Sequence, residues 1–314
     1  MSLKNLGEDG LIRRLRSRFP GPRAGLGIGD DTAILEFPAG HQILYCSDLV
    51  VENTHFICGM HPPDSVGYKA VAVNISDVGA MGGIPMFLLV SIALPADLEA
   101  AWVDSFYDGV ERACREFDVA LVGGDSSSSE RIFVDVSMIG RVLSGKAVRR
   151  SGARPGDAVY VTGSLGGSAA GLEALQRGQT PDCMLSTVLR HLYPAPRHRV
   201  GASLAGPAHA MIDISDGLST DLGHIATESQ VSIRIYKDRI PVFPGAGERH
   251  ALHGGEEYEL IVVAADDLPS SVEGVPLTRI GEVVDSSPEA ELLLVDETSG
   301  PEGRPFTPRG WQHF

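Results

Sequence analysis

What this sequence lacks narrows its function before any motif is read. Basic charge is short: 26 Lys and Arg stand against 41 Asp and Glu, for a formal net charge of -15. Such a chain repels a phosphate backbone or an anionic bilayer, which sets nucleic acid and membrane surfaces aside as partners. Cysteine is sparse. Cys46, Cys58, Cys114 and Cys183 form no CxxC pair and fall below the density of a disulfide scaffold, so reduced thiols in a cytoplasmic protein are expected. The N-terminal segment MSLKNLGEDGLIRRLRSRF has no apolar core of a secretory signal and reads as a short amphipathic helix. Long apolar runs without breakers are missing too. The uncharged stretch 78–96 contains Gly79, Gly82, Gly83, Pro85 and Pro95, which resolve it into a helix end, a turn and a buried strand MFLLVSIAL rather than a membrane span.

Several familiar chemical signatures are incomplete. GLGIGD lacks the third glycine of a dinucleotide fingerprint. GRVLSGKA, at 140–147, has the spacing of a P-loop up to its last position, where Ala147 offers no hydroxyl to a metal, and no helix is expected after it. No GxSxG elbow is present, and no His–Cys cluster has zinc spacing. The serine run 126–129 reads as a flexible loop rather than a set of nucleophiles.

What is there is an interleaving of strands and helices. After the glycine-rich loop GLGIGDDTA, the pattern predicts a strand at 42–51, a helix at about 64–81 with Asp64 as N-cap, a strand at 86–94, a helix at about 97–117 and the strand RIFVDVSMIGRV. The segment SGKAVRRSGARPGD lacks apolar periodicity, and a domain boundary is expected near residue 150. The second half opens with strand AVYVTG, the turn SLGGSAAG and a helix, then strand HAMIDIS, helix GLSTDLGHIATES and strands VSIRIY, ELIVVAA and TRIGEVV. Mixed α/β architecture in two domains, 1–150 and 151–314, follows. The turn VTGSLGGSAAG offers backbone N–H groups to a phosphate, but close strand–helix packing needs the same glycines.

The stronger signal is a set of carboxylates at strand ends, loops and Gly-flanked turns: Asp30, Asp31, Asp48, Glu52, Asp77, Asp125, Asp213 and Asp216. Singly, each also reads as a turn or capping residue, and Ser215 or Asp216 is placed to cap the helix after Gly217. Asp77 is the exception, because it interrupts the apolar helical stretch KAVAVNISDVGAMGG with Asn74 one turn earlier, and polar groups there require partners. Dispersed carboxylates suit magnesium, which takes oxygen ligands, keeps several waters and bridges to phosphates. An acidic chain binds phosphorylated small molecules by that route.

In order and spacing, the motifs GIGDDTA (27–33), CSDLVVENTHF (46–56), KAVAVNISDVGAMGGIP (69–85), VGGDS (122–126), RRSGARPGDAVYVTG (149–163), MIDISDGLSTDL (211–222), GGEEYEL (254–260) and GWQHF (310–314) resemble those of the thiamine-monophosphate kinases from end to end. The resemblance implies the two-domain fold of aminoimidazole ribonucleotide synthetase. Its N-terminal domain would bind ATP and magnesium and contribute strands to a dimer-interface barrel, and its C-terminal α/β domain would complete the active site. It implies several magnesium ions held by Asp30, Ser47, Asp48, Asp77, Asp125, Asp213 and Asp216, five of them, Asp30, Asp48, Asp77, Asp125 and Asp213, being catalytic. ATP would contact Tyr107, Gly124, Asp125, Arg150 and Ser215, and thiamine monophosphate would contact His55, Glu256 and Trp311. Three departures stand out: Cys46-Ser47 replaces the usual Ser-Thr, VGGDS replaces VGGDT, and GGEEYEL replaces GGEDYEL.

The implied reaction is direct in-line transfer of a phosphoryl group from ATP to the acceptor's phosphate, in a homodimer. Relatives of the fold are separated by single residues. Selenophosphate synthetase requires a reactive cysteine in its N-terminal glycine-rich segment, where this chain has none before Cys46, and the hydrogenase-maturation relative ends in cysteine, where this chain ends in His313-Phe314. Aminoimidazole ribonucleotide synthetase and a non-catalytic magnesium–nucleotide binder are the remaining alternatives.

Overall fold

The computed structural model describes residues 8–19, 25–26, 33–178, 185–265, 267–285, 291–296 and 300–311. The chain forms two compact units, Met1–Val78 with Ile84–Gly145, and Gly79–Gly83 with Lys146–Phe314. Among the described residues no helix is long and apolar enough to cross a membrane.

The first unit contains α1 (Glu8–Arg18), β1 (Gly25–Leu26), β2 (Ile34–Leu35), β3 (His41–Val51), α2 (Pro63–Ala80, whose last two residues belong to the second unit), β4 (Ile84–Leu94), α3 (Ala100–Phe117), β5 (Ala120–Ser128) and β6 (Phe133–Leu143). Strands β3, β6, β4 and β5 form a sheet in that spatial order, parallel only between β4 and β5. Strict alternation on β6 buries Val134, Val136 and Met138 completely and leaves the opposite face half open. Helix α2 lies on the buried face, with Val78 against Gly140. The helix is itself buried nearly all round, which explains its uniformly apolar sequence.

The expected elements form, with local differences: α3 starts at Ala100 rather than about 97, and Gly25–Leu26 of the expected glycine-rich loop form strand β1. Helix α2 starts one residue earlier, at Pro63, whose missing N–H and fixed φ suit the first helical position; Asp64 sits inside the first turn instead of capping it. The serine run is a strand rather than a loop, because 125–128 pair in parallel with Ser91 to Leu94 of β4. An edge strand tolerates serines, having one sheet neighbour to satisfy and water on the other side.

The second unit contains β7 (Ala158–Thr162), α4 (Gly167–Gln176), α5 (Leu185–Leu192), α6 (His198–Leu204), β8 (Ala208–Asp213), α7 (Leu218–Ser229), β9 (Ser232–Tyr236), α8 (Glu248–His253), β10 (Leu260–Ala264), β11 (Ser271–Val272), β12 (Val275–Val284), β13 (Leu292–Val295) and β14 (Arg304–Pro305). Its sheet runs β14-β13-β9-β12-β7-β10-β8, with β11 paired to β12, and only β13 and β9 are parallel. Both faces are covered. Val159, Val161, Ile212 and Ile261 point into one core with α7, while Tyr160, Met211 and Val262 point into another with Val200 and Leu204. Continuous apolar strands such as LIVVA are the sequence mark of this double burial.

Helices α2 and α3 approach so closely that only glycine fits. A Cβ on Gly109 would collide with the Asp64 carbonyl oxygen, and one on Gly67 with that of Phe106. The obstacle is backbone, so it cannot swing aside. Gly109→Ala is therefore expected to destabilise the protein by about 1–3 kcal/mol or more, the range for overpacked cores, despite the better helix propensity of alanine. An unchanged denaturation midpoint would contradict this close approach.

Candidate active site

In the first unit the carboxylates meet where β3 faces α2. Cys46 and Asp48 project from β3 toward that helix, and Asp48 is in side-chain hydrogen-bonding contact with Asp77. Burial raises the pKa of Asp48, and the charge of Asp135 adds to the rise against the opposing hydrogen bond from Asp77. Two carboxyls can share a hydrogen bond only while one holds a proton, so a cation with oxygen preference would take that proton's place. Asn74, which the apolar helix requires to be partnered, is fully buried and donates to the Ala70 carbonyl at 3.0 Å. The Cys46 thiol donates to Asn74, 3.6 Å from both its carbonyl and its Oδ1.

Ser47 points the other way. Its hydroxyl donates to Asp135 Oδ1 at 2.6 Å, and Ser137 joins them at 3.3 Å on the open face of the sheet. Toward the Asp48–Asp77 side Ser47 offers only backbone. Asp135 was not singled out in the sequence because it looks like any polar residue on an alternating strand. Asp125 lies exposed on β5, with one carboxylate oxygen accepting the Ser126 N–H at 2.8 Å. Gly124 precedes it where a Cβ would strike the Val90 carbonyl, so the chain passes β4 at a distance only glycine allows.

In the second unit Asp213 ends β8, and the turn that follows carries Ser215 and Asp216 into α7. The helix is not capped by Ser215 or Asp216. Instead Asp221, one turn in, reaches back and accepts the N–H groups of Asp216 and Gly217, each at 3.1 Å. Burial drives the Asp221 pKa up to about 8, and the charges of Asp213 and Asp216 push it the same way. Asp216, Asp221 and His224 could offer ligand atoms within 4.8 Å of one another. The donors of both clusters are mainly hard carboxylate oxygens at raised or mutually repelling positions, which fits magnesium.

The segment 254–259 is laid against this turn. Glu256 N–H donates to the Ser215 carbonyl at 2.7 Å, and the N–H groups of Glu257 and Tyr258 donate to that of Ile214. Glu256 and Tyr258 both take left-handed backbone, with φ of 59° and 54°, a conformation that costs side-chain-bearing residues about 1 kcal/mol or more. A buried charge network holds it. Glu259 is fully buried and receives Arg197 through two hydrogen bonds at 2.6 and 2.7 Å, with Arg190 and Thr162 as further donors. Burial pushes the Glu259 carboxyl up, yet these cations more than offset it and hold it below the ordinary range.

The adjacent glutamates divide their roles. Glu257 is buried, and its carboxylate accepts the Ser168 N–H at 2.9 Å at the start of α4. The glycine-rich turn before α4 is thus occupied by a protein carboxylate. Its glycines serve packing, with a Cβ on Gly167 striking Phe243 and one on Gly171 striking the Thr187 backbone. Glu256 is the partly open member, beside the buried His191 at 3.3 Å.

The C-terminal segment is pinned to the same turn. Arg309 and Gly310 N–H groups donate to the hydroxyls of Ser219 and Thr220, and Trp311 N–H donates to the Asp216 carbonyl at 3.1 Å. Trp311 remains 53% exposed. The unit therefore gathers Asp213, Ser215, Asp216, Glu256 and Trp311 around one turn. Arg150 is exposed in the same unit, while in the first unit His55 accepts the Val51 N–H at 3.0 Å. Tyr107 is 3% exposed on α3, edge-on to Phe106 and Phe19. Asp30 lies outside the described residues.

These two units are matched by the AIR synthase related protein models, the N-terminal domain over residues 29–142 and the C-terminal domain over residues 154–292. Fold and site thus define a two-domain protein of the AIR synthase related class. Thiamine-monophosphate kinase of Aquifex aeolicus (strain VF5) is 37% identical over the full length of both chains. A solved thiamine-monophosphate kinase from Stenotrophomonas maltophilia K279a is 34% identical with a TM-score of 0.83, over 92% of this chain and 96% of that one. AaThiL, solved in complex with AMPPCP and TMP, is 36% identical with a TM-score of 0.79, over 100% of this chain and 99% of that one. The chain belongs to the thiamine-monophosphate kinase family.

Burial raises the Glu257 pKa to about 7, with Arg190 and the Ser168 N–H opposing the rise and Glu259 adding to it. A carboxyl whose folded pKa is raised stabilises the protein when protonated. Its contribution is full below the unfolded value near 4.5 and is lost as pH rises to about 7. Glu257→Gln should therefore flatten the fall in stability between these pH values, where one proton corresponds to at most about 1.4 kcal/mol per pH unit. Identical pH–stability curves for the two proteins would show that Glu257 titrates normally.

Proposed function

We propose that the chain phosphorylates thiamine monophosphate with ATP, forming thiamine diphosphate and ADP. The observation that carries the reading is the end-to-end similarity to a relative bound to AMPPCP and TMP, in a chain whose site is built from carboxylates. AMPPCP replaces the bridging oxygen of ATP by carbon, so the nucleotide of that complex stands for ATP before transfer.

The acceptor explains why no base or protein nucleophile is needed. A phosphate monoester has a second pKa near 6, so at neutral pH its oxygen already carries the attacking electron pair. That oxygen bonds to the terminal phosphorus of ATP, the bridging P–O bond breaks, and ADP leaves with the electron pair; no proton has to be removed. The obstacle is repulsion between two polyanions. Magnesium ions, when bound, would supply the neutralising charge. Asp30, Asp48, Asp77, Asp125, Asp213 and Asp216 would hold them, with Ser47 offering its backbone carbonyl. Tyr107, Gly124, Asp125, Arg150 and Ser215 would contact ATP.

For the acceptor, His55, Glu256 and Trp311 remain the proposed contacts. The partly open Glu256 is favoured over the buried Glu257. The half-exposed indole of Trp311 suits the permanent cation of a thiazolium ring. A homodimer, with an N-terminal domain (residues 1–150) contributing the interface and most nucleotide residues, and a C-terminal domain (151–314) contributing most acceptor residues, completes the proposal. Its support is the open sheet face, where Ile43, Tyr45 and Leu49 of the edge strand β3 are all more than half exposed. Reduced thiols and a cytoplasmic location accord with Cys46, Cys58 and Cys114, none of which is in a disulfide.

Phosphorus NMR of the protein with ATP, thiamine monophosphate and magnesium should show equal amounts of ADP and thiamine diphosphate. ADP without thiamine diphosphate would mean another acceptor. Trp311→Ala should raise the acceptor KM on the order of 2- to 30-fold and leave the ATP KM nearly unchanged. Equal increases in both, with a lower melting temperature, would make Trp311 a structural plug.

A further inference from the structure

The second unit holds a cavity of about 880 Å³ in which the charge of the molecule is reversed. Its charged walls carry Lys237, Arg249, Arg304 and Arg309 against Glu173 and Glu248, together with His250 and His253. With neutral histidines this is four positive charges against two negative, in a chain of net charge -15. Part of the charge is matched internally: Lys237 pairs with Glu248 at 2.7 Å, His250 with Glu173 at 3.0 Å and Arg304 with Asp296 at 2.8 Å. Arg249 and Arg309 have no carboxylate partner among the described residues. Burial holds His253 below its ordinary pKa, and Arg309 and Arg249 press it further down, so both guanidinium groups act on the same space.

Apolar side chains line the same cavity. Half-buried Phe306 and Ala169 give it an apolar surface that a bare anion would leave uncovered, with Leu252 and Leu294 of the buried core also in its lining. The volume falls within the range of small-molecule sites. None of Asp213, Asp216, Glu256 and Trp311 lines it, so it is separate from the acceptor residues. We infer that this cavity binds a nucleoside di- or triphosphate, with Arg249 and Arg309 on the phosphates and the apolar wall around Phe306 under the base. Gly254 and Arg309, which line it, each lie two residues from an acceptor residue, Glu256 and Trp311. An occupant would therefore touch both segments that carry acceptor contacts.

Calorimetric titration of ADP into the full chain, in EDTA and without magnesium, separates this site from the kinase site, whose nucleotide depends on the metal. ADP is expected to bind, about 10-fold more tightly than inorganic diphosphate, which lacks the ring. Arg249→Glu and Arg309→Glu should each weaken ADP about 10-fold, and added salt should weaken it further. Both side chains are exposed, and unchanged melting temperatures would verify that the variants fold. Asp77→Asn and Arg150→Ala should leave this binding as it was. No binding at millimolar ADP, binding that survives both arginine substitutions, or binding lost in Arg150→Ala would overturn the inference, and any of these could occur in a fully active kinase.

Discussion

The burial of carboxylates that the fold does not allow to separate is the constraint around which this molecule is organised. Asp48 on β3 and Asp77 on the buried helix α2 are held in contact, and Asp213, Asp216 and Asp221 are held by one tight turn and the start of α7. Burial raises both Asp48 and Asp221 above the ordinary carboxylate range, and like charge adds to it, from Asp135 in the first cluster and from Asp213 and Asp216 in the second. A protein gains nothing in stability from such groups alone. Their arrangement makes sense when hard cations neutralise them, and the phosphates of two polyanionic substrates can then approach.

The rest of the second unit serves to keep that turn in place. Buried ion pairs are expensive in isolation, and breaking one by removing a partner typically costs about 3–5 kcal/mol. Here Glu259 spends its burial on two arginines, and the gain is geometric. Glu256 and Tyr258 are locked in strained left-handed backbone, and residues 256–258 deliver three N–H groups to the carbonyls of Ile214 and Ser215. The tail adds the Trp311 N–H on Asp216 from the other side. From within, the Asp221 carboxylate accepts the N–H groups of Asp216 and Gly217, so backbone and side-chain hydrogen bonds together fix the turn.

Much of this was legible in the sequence, where periodicity and caps report local structure. Apolar strands, helix lengths and the interruption of α2 by Asp77 could all be read directly, because each depends on neighbours within a turn or a strand. Residues whose role depends on distant partners could not. Asp221 looks like an ordinary first-turn acid, Asp135 like the polar half of a strand alternation, and Arg190 and Arg197 like surface cations, since nothing local reveals Glu259 between them. The serine run misled for the same reason: serine favours loops by propensity, but the parallel partner β4 turns it into a strand. Ser47 and Asp48 are adjacent in sequence yet face opposite sides of the sheet, so a motif match alone does not say which atoms a residue presents.

The most direct test of the cation-dependent account uses no nucleotide. The melting temperature of the protein is measured against magnesium concentration, for the native chain and for Asp48→Asn with Asp77→Asn. Removing the buried carboxyl pair should raise the metal-free melting temperature, while native protein should gain stability with the logarithm of magnesium once its binding constant is passed and the double variant should gain much less. A double variant that melts lower than the native chain without metal, and still responds to magnesium equally, would contradict the claim that these carboxylates are held together to bind cations.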